Sequence, residues 1–140
     1  MKNKDLKRQV YFNGEFVPET EARISIYDSA LMFGDMVFEM TRSFRGKQFK
    51  LREHLQRLYN GIKILRIPMK LKIEEMEKAV HETVERNSKL FDKDDEHRIL
   101  IDVSRGLLSI YQDVDIKKGP NVIIADFPLR WTVQNCSHLY

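Results

Sequence analysis

Residues 36–65 read MVFEMTRSFRGKQFKLREHLQRLYNGIKIL, and the hydrophobic period changes inside this stretch. From Met36 to Arg45 the period is two. Met36, Phe38, Met40, Arg42 and Phe44 fall on one side, and Val37, Glu39, Thr41 and Ser43 on the other. That alternation is the pattern of a β-strand. From Leu51 the spacing becomes four, three, four and three through Leu55, Leu58, Ile62 and Leu65. This is one apolar stripe on an α-helix, which Pro68 stops. Arg45-Gly46-Lys47 reads as the turn between the two, leading into Gln48–Leu51.

Upstream, Val10-Tyr11-Phe12 and Phe16-Val17 flank Asn13-Gly14, a strong hairpin signal that Pro18 ends. Asp28-Ser29 is placed to cap a short helical turn through Ala30-Leu31-Met32, stopped by Gly34. Downstream, a second amphipathic helix is predicted from Ile73 to about Leu90, with Met76, Val80 and Val84 inward. Asp92 to Glu96 reads as a loop. Arg98 to Ser104 alternates again, with Ile99, Ile101 and Val103 opposite Arg98, Leu100 and Asp102. Asn121 to Phe127 is apolar without alternation, as expected of a strand covered on both faces. Strands early, two adjacent helices and strands late predict an α+β fold, a largely antiparallel sheet packed with two amphipathic helices. The 140 residues suffice for one domain.

Apolar residues make up 42% and charged residues 32%, ordinary for a soluble globular domain. The formal charge of +3 is too small to point to nucleic acid. Lys2, Lys4, Lys7 and Arg8 are basic, but Asp5 interrupts them and no aromatic residues interleave. No stretch approaches a membrane-spanning length, and no apolar run follows the basic N-terminus to make a secretory signal. Cys136 is the only cysteine, which excludes an internal disulfide and suits a reducing cytoplasm. Asn135-Cys136-Ser137 then reads as a chance sequon. The expectation is a cytoplasmic protein whose partners include neither nucleic acid nor membrane.

His54, His81, His97 and His138 are scattered without metal-ligand spacing, so no metal site is expected. No nucleophile elbow or glycine-rich phosphate loop is present, and nothing supplies a base to Cys136. Arg57 precedes Leu58 and so lies about 100° round the helix, at the edge of the apolar stripe. A guanidinium there can run its stem along the core and present a planar fork to phosphate or carboxylate. A solvated arginine or a structural ion pair fits the same position. Arg42 shares its strand face with Phe38 and Met40, and Arg98 shares its face with Leu100. A charge on such a face either sits at the sheet edge or answers an anion.

Phe12-Asn13-Gly14-Glu15-Phe16, then Ala30-Leu31-Met32-Phe33-Gly34-Asp35, then Val37-Phe38-Glu39 resemble the opening of the fold-type-IV pyridoxal-phosphate enzymes. That family includes branched-chain and D-amino-acid aminotransferases, R-selective amine transaminases and aminodeoxychorismate lyase. The helix Glu53-His54-Leu55-Gln56-Arg57-Leu58, continuing to Lys63-Ile64 and Arg66-Ile67-Pro68, is the most specific part of the resemblance. The match runs in order from about Val10 to Phe127. It implies that Arg57 holds the phosphate of pyridoxal phosphate, that Phe38 lines the substrate pocket, and that Phe33 reaches the partner subunit's site in a homodimer. Arg42 and Arg98 match arginine positions of the branched-chain enzymes, where Arg98's counterpart helps receive the substrate carboxylate. The chain departs from their pattern at Met40 (glycine there), Glu96 (often tyrosine) and Phe33 (usually tyrosine). Around Ile110 and Gln112 it lacks the arginine and histidine of the D-amino-acid enzymes.

The resemblance also puts the lysine that bonds the cofactor a short way beyond Phe127-Pro128, in a second domain. On this reading residues 1–140 are the N-terminal domain, the C-terminal catalytic-lysine domain is absent, and no catalytic residue lies in the chain, which alone is inactive. The implied activity is pyridoxal-phosphate-dependent transfer of an amino group between an amino acid, branched-chain among the candidates, and a 2-oxo acid. An aminodeoxychorismate-lyase-like enzyme and a non-catalytic stand-alone binding domain are the alternatives.

Overall fold

Asn13 and Gly14 adopt φ of 55° and 94°, the left-handed pair that a tight two-residue hairpin needs. They join β1 (Gln9–Phe12) to β2 (Glu15–Pro18), as the Asn-Gly signal predicts. The structure is a computed structural model that describes residues 7–111, 113–114 and 119–135. Readings that involve Lys2, Lys4, Asp5, Gln112, Cys136, Ser137 and His138 lie outside the described residues.

After the hairpin come α1 (Ser29–Phe33), β3 (Met36–Phe44), β4 (Lys47–Gln48), α2 (Leu51–Leu65) and α3 (Ile73–Ser88). They are followed by β5 (His97–Ser104), β6 (Asn121–Pro128) and α4 (Leu129–Asn135). The strands form one antiparallel sheet in the order β2-β1-β6-β5-β3-β4, the expected α+β architecture. At α1, the Asp28 carboxylate accepts from the Ala30 amide at 2.8 Å, and Gly34 closes the turn at φ 69°.

Both long helices lie on one face of the sheet. Leu51, Leu55, Leu58 and Ile62 of α2 and Met76, Ala79 and Val80 of α3 pack against Ile99, Ile101, Val103, Val122 and Ile124. Cross-strand register sorts the other residues. Tyr11, Ile124, Ile101 and Glu39 form one row on the helix-covered face. Phe12, Ile123, Asp102 and Phe38 form the next row, on the open face, followed by Ala125–Leu100–Met40 and Phe127–Arg98–Arg42.

Two expectations need correction, and one element is new. β6 is not covered on both faces: Val122, Ile124, Asp126 and Pro128 are buried, while Ile123, Ala125 and Phe127 point outward and are only half-buried. Its open side is merely apolar. α2 ends at Leu65 before Pro68 can act, because Arg66 takes φ 53° and Ile67 donates back to the Ile62 carbonyl at 3.0 Å. α4 was not anticipated; seven residues give too little periodicity to show a helix. In β3, the polar residues Glu39, Thr41 and Ser43 are those turned inward.

Gly61 lets α2 approach β3 closely. A methyl group there would lie 2.9 Å from Val37 Cγ1, a β-branched side chain with little freedom to move. Gly61→Ala gains up to about 1 kcal/mol of helix propensity but costs more through overpacking, so it should lower thermal stability. In a Val37→Ala background the same substitution should be neutral or stabilising. Equal effects in both backgrounds, measured by thermal melts, would show that this contact does not set the spacing of α2.

Candidate functional site

Glu39 faces the helices and is only 4% exposed. A carboxylate placed there costs several kcal/mol unless it is paired. α2 supplies both partners from positions three apart, hence on one side of the helix. Arg57 donates from Nε to Glu39 Oε1 at 2.5 Å and from Nη2 to Oε2 at 2.8 Å, a bidentate pair. His54 Nδ1 lies 2.8 Å from the same Oε2. The Arg57 guanidinium holds the Glu39 carboxyl below the usual carboxylate range; burial works against that and His54 adds to it. Arg57 itself stays 74% exposed along its side chain. Nη1 makes no hydrogen bond among the described residues, and the guanidinium lines a cleft with Met36, Phe38, Met40 and Gly61. Arg57 is therefore both an ion-pair partner and a guanidinium offered to solvent at the edge of the domain.

Arg42 and Arg98 stand directly opposite each other on the open face. Like charges in that register repel, and the two heads part. Arg42 stacks over Phe44, 3.7 Å from the ring centroid, and its Nε donates to the Ser43 carbonyl. Arg98 leans the other way, placing Nε 2.6 Å from Met40 Sδ. Phe38, 62% exposed, lies further along the same face and shares the Arg57 cleft. The structure thus gathers Phe38, Arg42 and Arg98 on one face, with Arg57 at its β3 edge. It does not bring Phe33 to them. Phe33 ends α1 near Met36, 64% exposed and at the far end of the strands from Arg42.

Sequence reasoning missed Glu39 as the residue that fixes Arg57. Its signal was an acidic residue on the less apolar side of the strand, beside a helix with an arginine at the edge of its stripe. Glu96 closes the β3–β4 turn, accepting from the Ser43 hydroxyl and from the Arg45 amide at 2.5 Å. His97 and Asp126 form a second buried pair at 2.8 Å, under the stacked ring of Phe91. Burial raises the Asp126 pKa, against the pull of His97. Among the described residues no three His, Cys, Asp or Glu side chains gather as a metal set, and no helix is long and apolar enough to cross a membrane.

Residues 36–138 match the family model described as amino-transferase class IV. A Methanocaldococcus jannaschii protein provisionally named branched-chain-amino-acid aminotransferase is 44% identical over 80 residues, 57% of this chain and 28% of that protein. The branched-chain amino acid aminotransferase structure from Escherichia coli superposes with a TM-score of 0.74 at 29% identity, over 89% of this chain and 42% of that one. A branched-chain aminotransferase from the thermophilic archaeon Thermoproteus uzoniensis, crystallised with norvaline, superposes at TM-score 0.70 and 31% identity, over 86% and 40%. The chain spans less than half the length of each of these relatives.

The Glu39 pair has a pH signature. Its folded pKa lies below the unfolded value, so its contribution is full above about pH 5 and is lost as pH falls through the folded value. Discounted for the exposed Arg57, the pair should contribute about 1 kcal/mol. Urea melts of Glu39→Gln should show a deficit of that order at pH 7 that closes toward pH 3. A deficit that grows in acid would rule out this role.

Proposed function

Because the chain belongs to the class IV amino-transferase family, we propose that the protein carrying it moves an amino group between an amino acid and a 2-oxo acid with pyridoxal phosphate. The observation that carries this reading is Arg57, pinned by a buried carboxylate yet offered to solvent in the cleft that Phe38 lines. These residues fit the cofactor. A phosphate needs charge-assisted donors, and Arg57 keeps Nη1 and its outer edge for one, already oriented by Glu39. When bound, pyridoxal phosphate supplies the electron sink for chemistry at the amino acid's α-carbon.

The chain's own residues orient and select. Arg98, with Arg42 behind it, receives the substrate carboxylate on the open face, where a planar fork suits a planar anion. Phe38 packs against the substrate and helps exclude water. Phe33 projects from the other end of the sheet toward a second subunit, and we propose a homodimer on that ground. The single cysteine of the sequence supports a cytoplasmic setting. Every lysine among the described residues is exposed. None sits in the enclosed, water-excluded site that activates an amine nucleophile. The bonding amine is proposed to come from elsewhere in the protein, which leaves these residues by themselves inactive.

The protein carrying this chain, supplied with pyridoxal phosphate, a panel of amino acids and 2-oxo acids, should transfer amino groups. Arg57→Ala should weaken cofactor retention at least tenfold, about 1.4 kcal/mol, with Arg57→Lys in between. The reading fails if no donor in the panel reacts, or if Arg57→Ala retains cofactor undiminished. Borohydride reduction of the 140-residue chain mixed with cofactor should label lysines slowly and at many sites, as mass spectrometry will show. Stoichiometric labelling of one lysine would contradict the proposed inactivity.

A further inference from the structure

Asp102 lies on the open face with no hydrogen bond or ion pair among the described residues, and burial alone raises its pKa. The other carboxylates of β3, β5 and β6, and Glu96 just before β5, are engaged: Glu39 by Arg57 and His54, Asp126 by His97, Glu96 by the β3–β4 turn. The nearest hydroxyl along β5 on this face, Ser104, is committed to Asp28 at 2.9 Å. Asp102 stands in register with Phe38 on one side and Ile123 on the other. Directly opposed side chains have Cβ atoms about 5 Å apart, so a group packed on Phe38 meets the Asp102 carboxyl. A half-buried, unpaired carboxylate surrounded by apolar side chains stabilises nothing in the fold. It suits a cation that arrives from outside.

We propose that Asp102 determines substrate specificity by receiving a cationic group, an ammonium or guanidinium, at the far end of the amino acid's side chain. This rests on the aminotransferase reading, with the substrate carboxylate at Arg98. The spacing supports it. Arg98 and Asp102 stand four positions apart on β5, about 13 Å between Cα atoms. The Arg98 side chain already leans into the row between them, beside Met40 Sδ. The remaining gap is roughly half that span, a distance that a side chain of three or four methylenes covers. Lysine and ornithine are of that class. Norleucine has nearly the shape of lysine without its charge.

The test is kcat/KM of the complete enzyme for both enantiomers of lysine and norleucine, in wild type, Asp102→Asn and Asp102→Glu, with thermal melts alongside. Wild type should prefer lysine. Asp102→Asn should lose at least tenfold on lysine while norleucine changes less than threefold, and Asp102→Glu should keep part of the preference. Melting temperatures should not fall. A wild type that prefers norleucine overturns the proposal. So does equal loss on both donors, with or without a drop in melting temperature, because Asp102 would then serve a protein cation. Transfer from neutral donors only defeats this inference and leaves the aminotransferase reading intact. Transfer from no amino acid defeats both.

Discussion

The buried Glu39 carboxylate is the constraint around which this domain is arranged. β3 turns Glu39, Thr41 and Ser43 toward the helices and leaves Phe38, Met40 and Phe44 outside. A buried charge must be answered, so α2 has to cross β3 where positions 54 and 57 both reach Oε2. Gly61, one turn further along, is the residue that lets the helix come that close. Ser43 is answered in the same manner by Glu96 and by the His97 amide. Turning the polar side inward is affordable only because each group finds a partner. Its consequence is an outward side of unusual composition.

That outward side is where we propose that the chemistry of the chain lies. On a solvated antiparallel sheet the exposed residues are commonly polar. Here Phe38, Met40, Leu100, Ile123 and Phe127 share the face with Arg42, Arg98 and Asp102. Charges set among apolar side chains are less screened than charges in open water, so their positions matter for recognition more than for folding. Two guanidiniums parted at one end and a carboxyl at the other, unpaired among the described residues, give the face a polarity along the strands. The exposed Arg57 guanidinium stands at its edge.

Much of this could be read in the sequence, and the failures have physical causes. The strand-to-helix change near Leu51 was legible because the two periods differ by almost a factor of two. The Asn13-Gly14 turn was legible because few residues adopt positive φ in succession. Arg57 could be placed at the edge of its stripe from angular position alone. Its bond to Glu39 could not, because that depends on how α2 registers against β3 across 18 residues. Alternation identified the two sides of Met36–Phe44 without telling which one is buried. β6 was misread because Ile123, Ala125 and Phe127 are apolar for the sake of the open face and not of the core. Asp102 was assigned to a face, but that it has no partner among the described residues emerges only in three dimensions.

We propose above all that Arg57, held by Glu39, anchors an anionic cofactor beside the open face of the sheet. A crystal structure of the protein carrying this chain, grown with pyridoxal phosphate, tests it most directly. A phosphate oxygen should lie within hydrogen-bonding distance of the Arg57 guanidinium, with the Glu39 pair intact behind it and the pyridine ring on the side of Phe38 and Arg98. A phosphate bound elsewhere, or an Arg57 that has left Glu39 and faces away from the cofactor, would contradict it.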